Sequence, residues 1–537
     1  MRHGPSCSTR YEPNSIRSEP VSVRLRVDDK SSYGNQLAAF RATLFTQRLL
    51  AQDPTLWGPD AQEESRIRLS WVDAPDTSRE LLEPLEDLRR RLQHAGITRV
   101  VLCGMGGSSL APELICRSEG VQLEVLDSSQ PDMVRSAIHS LDKTLVVVSS
   151  KSGGTVETDS HRRIFEQAFN AEGLHPADHL IVVTDPGSPL DRQAAQLGYR
   201  VFHADPHVGG RFSALTAFGL VPSILAGAGG AELLDQAAQT RAELAAEHDE
   251  DDAVSLGVAI GVAAKEGVDK LVLLDRGQTR LGDWIEQLIA ESTGKDGTGI
   301  LPVVVESTDY QPTDDSFVIH LGTDELPDHR WCAAIDGPLG SQFMLWEVAT
   351  AAAGRILGID PFDQPDVESA KAAAREVLDH ELGDAEPDPA ADIVSIFGSK
   401  ASTVGAAITE LLSQVPADGY LSLQFYLNRW AGQPDEALAE KVASKIGRPV
   451  TFGWGPRFLH STGQFHKGGT PNGVFLQVTC DPITDLEVPG RDFTLGEFIA
   501  SQAAGDAQVL RERGRPVLQL HLHDVPAGLA LITEALA

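Results

Sequence analysis

Short apolar runs alternate with helix-like stretches along the central part of the chain. Residues 97–104, 121–127, 144–150, 179–185 and 199–205 are strand-like, and amphipathic segments separate several of them. This alternation predicts a parallel β-sheet whose two faces are covered by helices. Because such sheets bind ligands at the carboxyl ends of their strands, the loops that follow these runs are the first candidates for a site.

A second series of strand-like runs leads to a long helix-like stretch, Gln342 to Ile356. The segment at 383–392 is acidic and proline-rich, which is the composition of a linker. The sequence predicts an α/β protein with two tandem αβα sandwiches built on parallel sheets, and a smaller C-terminal α/β domain. The first 30 or so residues are polar, and we expect them to be disordered. The predicted strands of the second and third domains are 270–275, 299–305, 316–322, 420–427, 473–479 and 517–523. The predicted units are an N-terminal extension and helical segment at 1–65, then domains at 66–245, 246–384 and 385–537.

The charge balance argues against one class of partner. The 537 residues include 45 basic and 77 acidic side chains, a formal net charge of −32, and such a surface repels nucleic acids. Five scattered cysteines form no CxxC pair, which suits a reduced cytosol and gives no metal signature. The N-terminus lacks the apolar core of a signal peptide, and we interpret the uncharged run from Phe212 to Ala231 as a buried helix and turn. We expect a cytoplasmic protein without a nucleic-acid or membrane partner.

The segment GMGGSSLAPEL follows the first strand-like run and opens a helix. Its glycines let backbone N–H groups approach an anion, and its two serines add hydroxyl donors at a helix N-terminus. A dinucleotide-binding loop is the alternative, since Gly104 and Gly106 match the first two glycines of that fingerprint and Asp127 ends the next strand. Ser109 stands in place of the third glycine, so this loop alone does not decide between the two interpretations.

The segment SSKSGGTVET at 149–158 follows the third strand-like run. Its hydroxyl and amide donors form a cup that suits the three oxygen atoms of a phosphomonoester. A dinucleotide fold has no need of a second such cup on a neighbouring strand, so the two loops together favour a sugar phosphate. The predicted substrate-binding residues of the two loops are Gly107, Ser108, Ser150, Lys151, Ser152 and Thr155.

GMGGSS followed by SSKSGGTVET resembles the sugar-isomerase (SIS) domain, and the segments 209–220, 291–295 and 360–371 resemble the phosphoglucose isomerase family, in the family's order. GPRFLHSTGQFHKGG at 455–469 resembles the isomerase half of bacterial transaldolase/glucose-6-phosphate isomerase fusions, although the chain before Leu44 is too short for a transaldolase barrel. The resemblance implies SIS-type sandwiches, a homodimer, no cofactor and no metal. It also implies interconversion of glucose 6-phosphate and fructose 6-phosphate through a cis-enediolate.

Glu291 is the candidate base. Residues 281–289 carry apolar side chains at helical spacing, and Glu291 continues one edge of that stripe. A sheltered carboxylate there suits proton transfer near neutral pH, whereas the alternative is a solvated glutamate at a frayed helix end. Arg211, in a Gly-Gly-Arg turn, could stabilise an enediolate oxygen. The resemblance implies that Gln364 and Lys371 contact the sugar hydroxyls and assist ring chemistry.

One position departs from the family. The histidine expected for ring opening is absent, because Phe343 and its neighbours in PLGSQFMLWE include none. His460 and His466 are candidates to replace it, and the alternative for each is a hydrogen-bonded structural histidine. His521 and His523 alternate with an apolar residue on a predicted strand, and we interpret them as structural.

Three rivals to this interpretation remain. An aldose–ketose isomerase that also acts on mannose 6-phosphate would share every motif. A regulator that binds a sugar phosphate without chemistry would have no use for a base on an apolar face. A nicotinamide-dependent dehydrogenase would have to bind its cofactor, and failure to bind any nicotinamide would dismiss it.

Overall fold

Three five-stranded sheets organise the protein. A computed structural model describes residues 21–246, 252–276, 280–365 and 393–537. The strands are β1 Ser22–Arg26, β2 Arg99–Gly104, β3 Glu124–Leu126, β4 Thr144–Ser149, β5 Leu180–Thr184, β6 Arg200–His203, β7 Lys270–Leu274, β8 Leu301–Val305, β9 Ser316–Leu321, β10 Cys332–Asp336, β11 Val394–Phe397, β12 Tyr420–Tyr426, β13 Val450–Trp454, β14 Gly473–Cys480 and β15 Val517–Leu522.

The first sheet has the order β3-β2-β4-β5-β6, and all of its strand pairs are parallel. The five predicted strands are confirmed. β2 and β4 are neighbours, and Gly104 lies opposite Ser149 in their register. Because both strands end at this pair, the two glycine- and serine-rich loops leave the same edge of the sheet side by side.

The second sheet has the order β1-β10-β9-β7-β8. β7 to β10 run parallel, but β1 pairs antiparallel with β10, Ser22 opposite Asp336. The expectation of disorder through the first 30 or so residues is therefore wrong for 22–26. The sequence SVRLR alternates apolar and polar residues, and the strand it forms covers what would otherwise be an exposed sheet edge.

The third sheet has the order β11-β15-β14-β12-β13, and only β11 is antiparallel to its neighbour. The α/β class is confirmed, although β1 and β11 make two of the three sheets mixed rather than purely parallel. Sequence reasoning missed β11 and β13, which are short edge strands. The predicted linker at 383–392 lies outside the described residues, and the domain boundaries stay a prediction.

Helices cover the sheets and supply most of the core. The helices Tyr33–Arg41 and Phe45–Leu50 are separated by a break at Leu44, whose φ is 54°. The run from Phe212 contains a buried helix, as predicted, and no helix among the described residues is long and apolar enough to cross a membrane. The α-helices in the described ranges are Tyr33–Arg41, Phe45–Leu50, Gln62–Arg68, Ala74–Thr77, Leu82–His94, Leu110–Ser118, Pro131–Ala137, Val156–Ala171, Pro176–His179, Pro189–Leu197, Ala217–Ala226, Gly230–Ala245, Asp252–Lys265, Leu281–Thr293, Leu339–Leu357, Val404–Leu412, Leu438–Ile446, Gly463–Gly468, Leu495–Glu512 and Val525–Leu536.

A buried cluster of charges fastens the C-terminal domain to the first sheet. Arg429 Nε lies 3.1 Å from one oxygen of Asp127, and Arg457 pairs with the other. Arg457 Nη2 also lies 2.7 Å from Glu113. Asp127 is 0% exposed, so the acid that could have held a ribose in a dinucleotide site is neutralised by the C-terminal domain instead.

Candidate active site

The two loops at the ends of β2 and β4 form a polar cup. The Ser150 hydroxyl donates to Thr155 Oγ1 at 3.1 Å, and Ser152 Oγ accepts the Gly154 N–H at 3.2 Å. Ser108 stands in the neighbouring loop, and both loops lead directly into helices, Leu110–Ser118 and Val156–Ala171. Two helix N-termini and a row of hydroxyls at one sheet edge are suited to bind an anion.

Close backbone packing brings the Gly-Gly-Arg turn to this cup. A Cβ built on Gly107 would lie 1.9 Å from the carbonyl oxygen of Gly210. Only a glycine lets the two backbones approach so closely. This contact places Arg211 beside the first loop. The spacing of the two segments in the sequence could not indicate that they are close.

We expect Gly107→Ala to destabilise the protein by about 1–3 kcal/mol, the usual cost of overpacking. The same change should lower catalytic efficiency about 100-fold, because the turn that carries Arg211 has to move. Gly210→Ala is the matched control, since a Cβ there meets nothing within 4 Å. Thermal melts and kinetics of both variants test the prediction, and equal behaviour of the two would contradict it.

The ammonium group of Lys151 does not face the cup. Its Nζ lies 2.7 Å from Asp185 and 3.2 Å from the Pro206 carbonyl oxygen. Burial lowers the pKa of Lys151, while the Asp185 carboxylate opposes that shift. The prediction that this side chain binds the substrate is not supported by its position, since the ammonium ties two loops together.

The carboxylate of Glu291 sits near the end of helix Leu281–Thr293, and the residue is 8% exposed. Arg211 Nη1 lies 3.3 Å from Glu291 Oε1, and the amide of Gln287 donates to Oε2 at 3.0 Å. The apolar stripe predicted for this helix is confirmed, because its leucine, isoleucine and tryptophan side chains are buried. Glu291 is therefore a sheltered carboxylate with both oxygens held in place.

Arg211 is 3% exposed and joins three parts of the chain. Besides Glu291, its guanidinium donates to the Ser292 hydroxyl at 2.8 Å and to Gln364 Oε1 at 3.0 Å. It also donates to the Pro361 carbonyl oxygen at 2.6 Å. The arginine thus fixes the base, the end of its helix and the segment 360–364 relative to one another.

Lys295 holds the same segment from the other side. Its Nζ donates to the Asp360 carbonyl oxygen at 2.6 Å and lies 2.5 Å from the Asp363 carboxylate, and the residue is 1% exposed. Gln364 therefore stands at the site, with its side chain bonded to Arg211. Lys371 lies outside the described residues.

The C-terminal domain adds His460 to the site. Its Nε2 lies 2.9 Å from Glu157 Oε1, and its carbonyl oxygen accepts the Gln287 amide at 2.9 Å. A Cβ on Gly106, in the first loop, would lie 2.6 Å from the same carbonyl oxygen. Burial would raise the pKa of Glu157, but His460 and hydrogen bonds hold it at about 2. His460 is thus paired with a carboxylate, lies against the first loop and is linked to Glu291 through the amide of Gln287.

His466 has a different environment. It is 2% exposed, inside the C-terminal domain, where its Nδ1 lies 2.8 Å from the Tyr420 hydroxyl. Burial, together with Lys467 and Arg515, lowers the pKa of His466 to about 3. His466 is enclosed among aromatic side chains, so its position gives no support to the expectation that it opens the ring.

Sequence reasoning missed three residues of this site: Gln287, Lys295 and Glu157. Gln287 stands one turn before Glu291 on the same helix, and that spacing was an available signal. Glu157 follows the second loop in the first turn of its helix, but its partner is 303 residues away in sequence. No local sequence pattern predicts a contact between residues so far apart.

Parallel sheets with a hydroxyl-rich cup at the ends of two neighbouring strands define an α/β protein of the sugar-isomerase (SIS) type. A family model described as Phosphoglucose isomerase matches residues 90–306. This range includes the two loops of the cup, Arg211 and Glu291.

Proteins named glucose-6-phosphate isomerase are similar to this chain. One from Thermus thermophilus is 33% identical over 235 residues, 42% of this chain and 56% of that protein. One from Cyanothece sp. is 28% identical over 310 residues, 51% of this chain and 57% of that protein. The chain thus spans a little over half the length of these relatives. A crystal structure of a glucose-6-phosphate isomerase from Chlamydia trachomatis has the same fold, with a TM-score of 0.53 and 20% identity over 67% of this chain and 88% of that one.

Proposed function

We propose that this protein interconverts glucose 6-phosphate and fructose 6-phosphate. The observation that carries the proposal is the sheltered Glu291 carboxylate, 3.3 Å from Arg211, beside a cup suited to a phosphate group. Such an isomerisation moves one proton between adjacent carbon atoms, and a fixed base next to a fixed cation is what that step requires. The names of the relatives add independent support.

In the proposed reaction, the hydroxyls of Ser108, Ser150, Ser152 and Thr155 and the loop amides hold the phosphate. The carboxylate of Glu291 takes the proton from C2 of the open-chain aldose and returns it to C1. Negative charge that develops on the enediolate oxygen is stabilised by Arg211.

We propose that His460 opens and closes the sugar ring. An imidazole can act as a general acid and base, and Glu157 fixes the orientation of the ring. Its carbonyl contact with Gln287 ties it to the base. In this proposal His460 stands in for the histidine that the family carries in the stretch around Phe343. The proposal also has Gln364, which is bonded to Arg211, contact a sugar hydroxyl.

Two features favour an isomerase over its rivals. Both carboxylate oxygens of Asp127 form ion pairs with two arginines of the C-terminal domain, so the carboxylate is not available to bind a cofactor ribose. A binding regulator would have no use for a carboxylate held on both oxygens inside an apolar helix face. A homodimer and a cytoplasmic location stay predictions that depend on the family resemblance.

The test is a coupled assay of fructose 6-phosphate formation from glucose 6-phosphate by the full chain, run with and without chelator. Carried out in D2O, the reaction should place solvent deuterium on the transferred position, as proton transfer through an enediolate demands. Mannose 6-phosphate run in parallel decides whether the enzyme also accepts the C2 epimer. Absence of turnover with both aldoses would overturn the proposal.

We expect His460→Ala to lower the rate on cyclic glucose 6-phosphate at least 10-fold, because ring opening loses its acid–base group. Glu157→Gln should act in the same direction with a smaller effect. The matched control is His203→Gln, since His203 also pairs with one carboxylate at 2.9 Å but lies at the surface. A loss of no more than a few-fold in His460→Ala would remove the histidine from the mechanism.

A further inference from the structure

A cluster outside the proposed active site combines two imidazoles and a carboxylate. Asp481, His521 and His523 each offer one ligand atom, and these atoms lie within 4.8 Å of one another. We propose that these three residues bind a divalent transition-metal ion of the zinc type. The two histidines, interpreted from the sequence as structural, are ligands in this proposal.

Neighbouring strands deliver the three ligands to one point. Asp481 directly follows β14, and the two histidines lie two residues apart at the end of the adjacent strand β15. Residues at i and i+2 of a strand point to the same face. His521 Nε2 lies 3.1 Å from Asp481 Oδ1, and His523 Nδ1 lies 3.0 Å from Asp481 Oδ2.

The second nitrogen of each imidazole is held by a hydroxyl. Thr479 Oγ1 lies 2.9 Å from His521 Nδ1, and Ser395 Oγ lies 2.9 Å from His523 Nε2. Metal-binding histidines usually donate their remote N–H to such a partner, which fixes the tautomer and the ring plane. With those protons placed on the remote nitrogens, two lone pairs and a carboxylate converge on the same space.

The chemistry of the ligands selects the ion. Imidazole nitrogen suits zinc, nickel, cobalt and iron, whereas calcium and magnesium prefer oxygen ligands. Ligand atoms around zinc at about 2.1 Å lie about 3.4 Å apart in tetrahedral geometry, so the two Asp–His pairs, at 3.1 and 3.0 Å, have to open only slightly to admit the ion. The side chains are 27%, 33% and 61% exposed for His521, His523 and Asp481, which leaves a route from solvent and room for adjustment.

An ion here would also anchor the start of the segment 481–485, which contacts the first domain. Directly after Asp481, the Ile483 N–H donates to Asp132 of the first domain, and Arg135 donates to the carbonyl oxygen of Asp485. Because an ion that binds the folded state stabilises it, we expect zinc to raise the melting temperature of the chelator-treated protein.

The experiment titrates Zn2+ into the chelator-treated full chain in competition with a chromogenic chelator. We expect one ion per chain, and at least a 10-fold loss of affinity in each of His521→Gln, His523→Gln and Asp481→Asn. Thr479→Val, which removes a partner of His521, should weaken binding about 10-fold. His203→Gln is the control, since His203 faces a single carboxylate.

Co2+ spectra give a readout that altered folding would not mimic. The ion should show d–d bands without sulfur-to-metal charge transfer, and the bands should vanish in His523→Gln while isomerase activity stays at the wild-type level. The proposal would be overturned if the wild type bound zinc no more tightly than His523→Gln, or if His203→Gln lost as much zinc affinity as the ligand variants. A charge-transfer band that assigned the ion to a cysteine would also overturn it.

Discussion

Glu291→Gln should lower the isomerisation rate constant by about 10³- to 10⁴-fold, because the amide cannot accept the C2 proton. Glu291→Asp keeps a base but withdraws it by one methylene, and we expect a loss of about 100-fold. Affinity for fructose 6-phosphate, measured by calorimetry, should change little in either variant, since we propose that the two loops, and not Glu291, hold the phosphate. Steady-state kinetics on the full chain tests both values.

Glu286→Gln is the control on the same helix. Glu286 lines a cavity together with Arg280 and Arg457 and makes none of the contacts that hold the Glu291 carboxylate, so its loss should leave the rate near that of wild type. If Glu291→Gln turned over at the wild-type rate, or if Glu286→Gln lost as much as Glu291→Gln, the base would have to be sought elsewhere.

Arg211→Met should lower kcat by about 10²- to 10³-fold, the usual cost of removing a group that stabilises developing negative charge. It should also raise KM, because the segment 360–364 loses its bonds to the guanidinium. Arg211→Lys keeps the charge but not the planar fork of donors, and only part of kcat should return.

Arg90→Met controls for the loss of an arginine as such. Arg90 pairs with Asp87 on an exposed helix face, where its side chain is 59% exposed. We expect its kinetics and melting temperature to stay close to wild type. A fall in stability without any change in kcat for Arg211→Met would restrict the arginine to a positioning role.

The strands of the first sheet and the two glycine- and serine-rich loops at their ends could be predicted from sequence because their signals are local. Continuous apolar runs mark strands buried on both faces, and glycine- and serine-rich turns directly follow two of them. Glu291 could be predicted for the same reason, since helical spacing alone places it on the apolar stripe. The strands that were missed are β1, β10, β11 and β13, and whether such a segment of four or five residues forms a strand depends strongly on the neighbours it pairs and packs with.

The remaining parts of the site depend on contacts between residues far apart in sequence. His460 and His466 stand in the same segment, and nothing in the sequence separates a histidine that meets Glu157 from one enclosed beside Tyr420. Lys151 is a predicted substrate-binding residue of the second loop, yet its ammonium group pairs with the Asp185 carboxylate.

By itself, the sequence determined the α/β class, the cup at two strand ends and the base on its helix, because strand and helix periodicity and turn chemistry act over a few residues. Only the tertiary structure decided which side chains meet: Arg211 with Glu291, and His460 with Glu157. It also decided the convergence of Asp481 with two histidines. The physical reason is that these pairings are set by sheet order and by the docking of the C-terminal domain, which bring together positions that no local pattern relates.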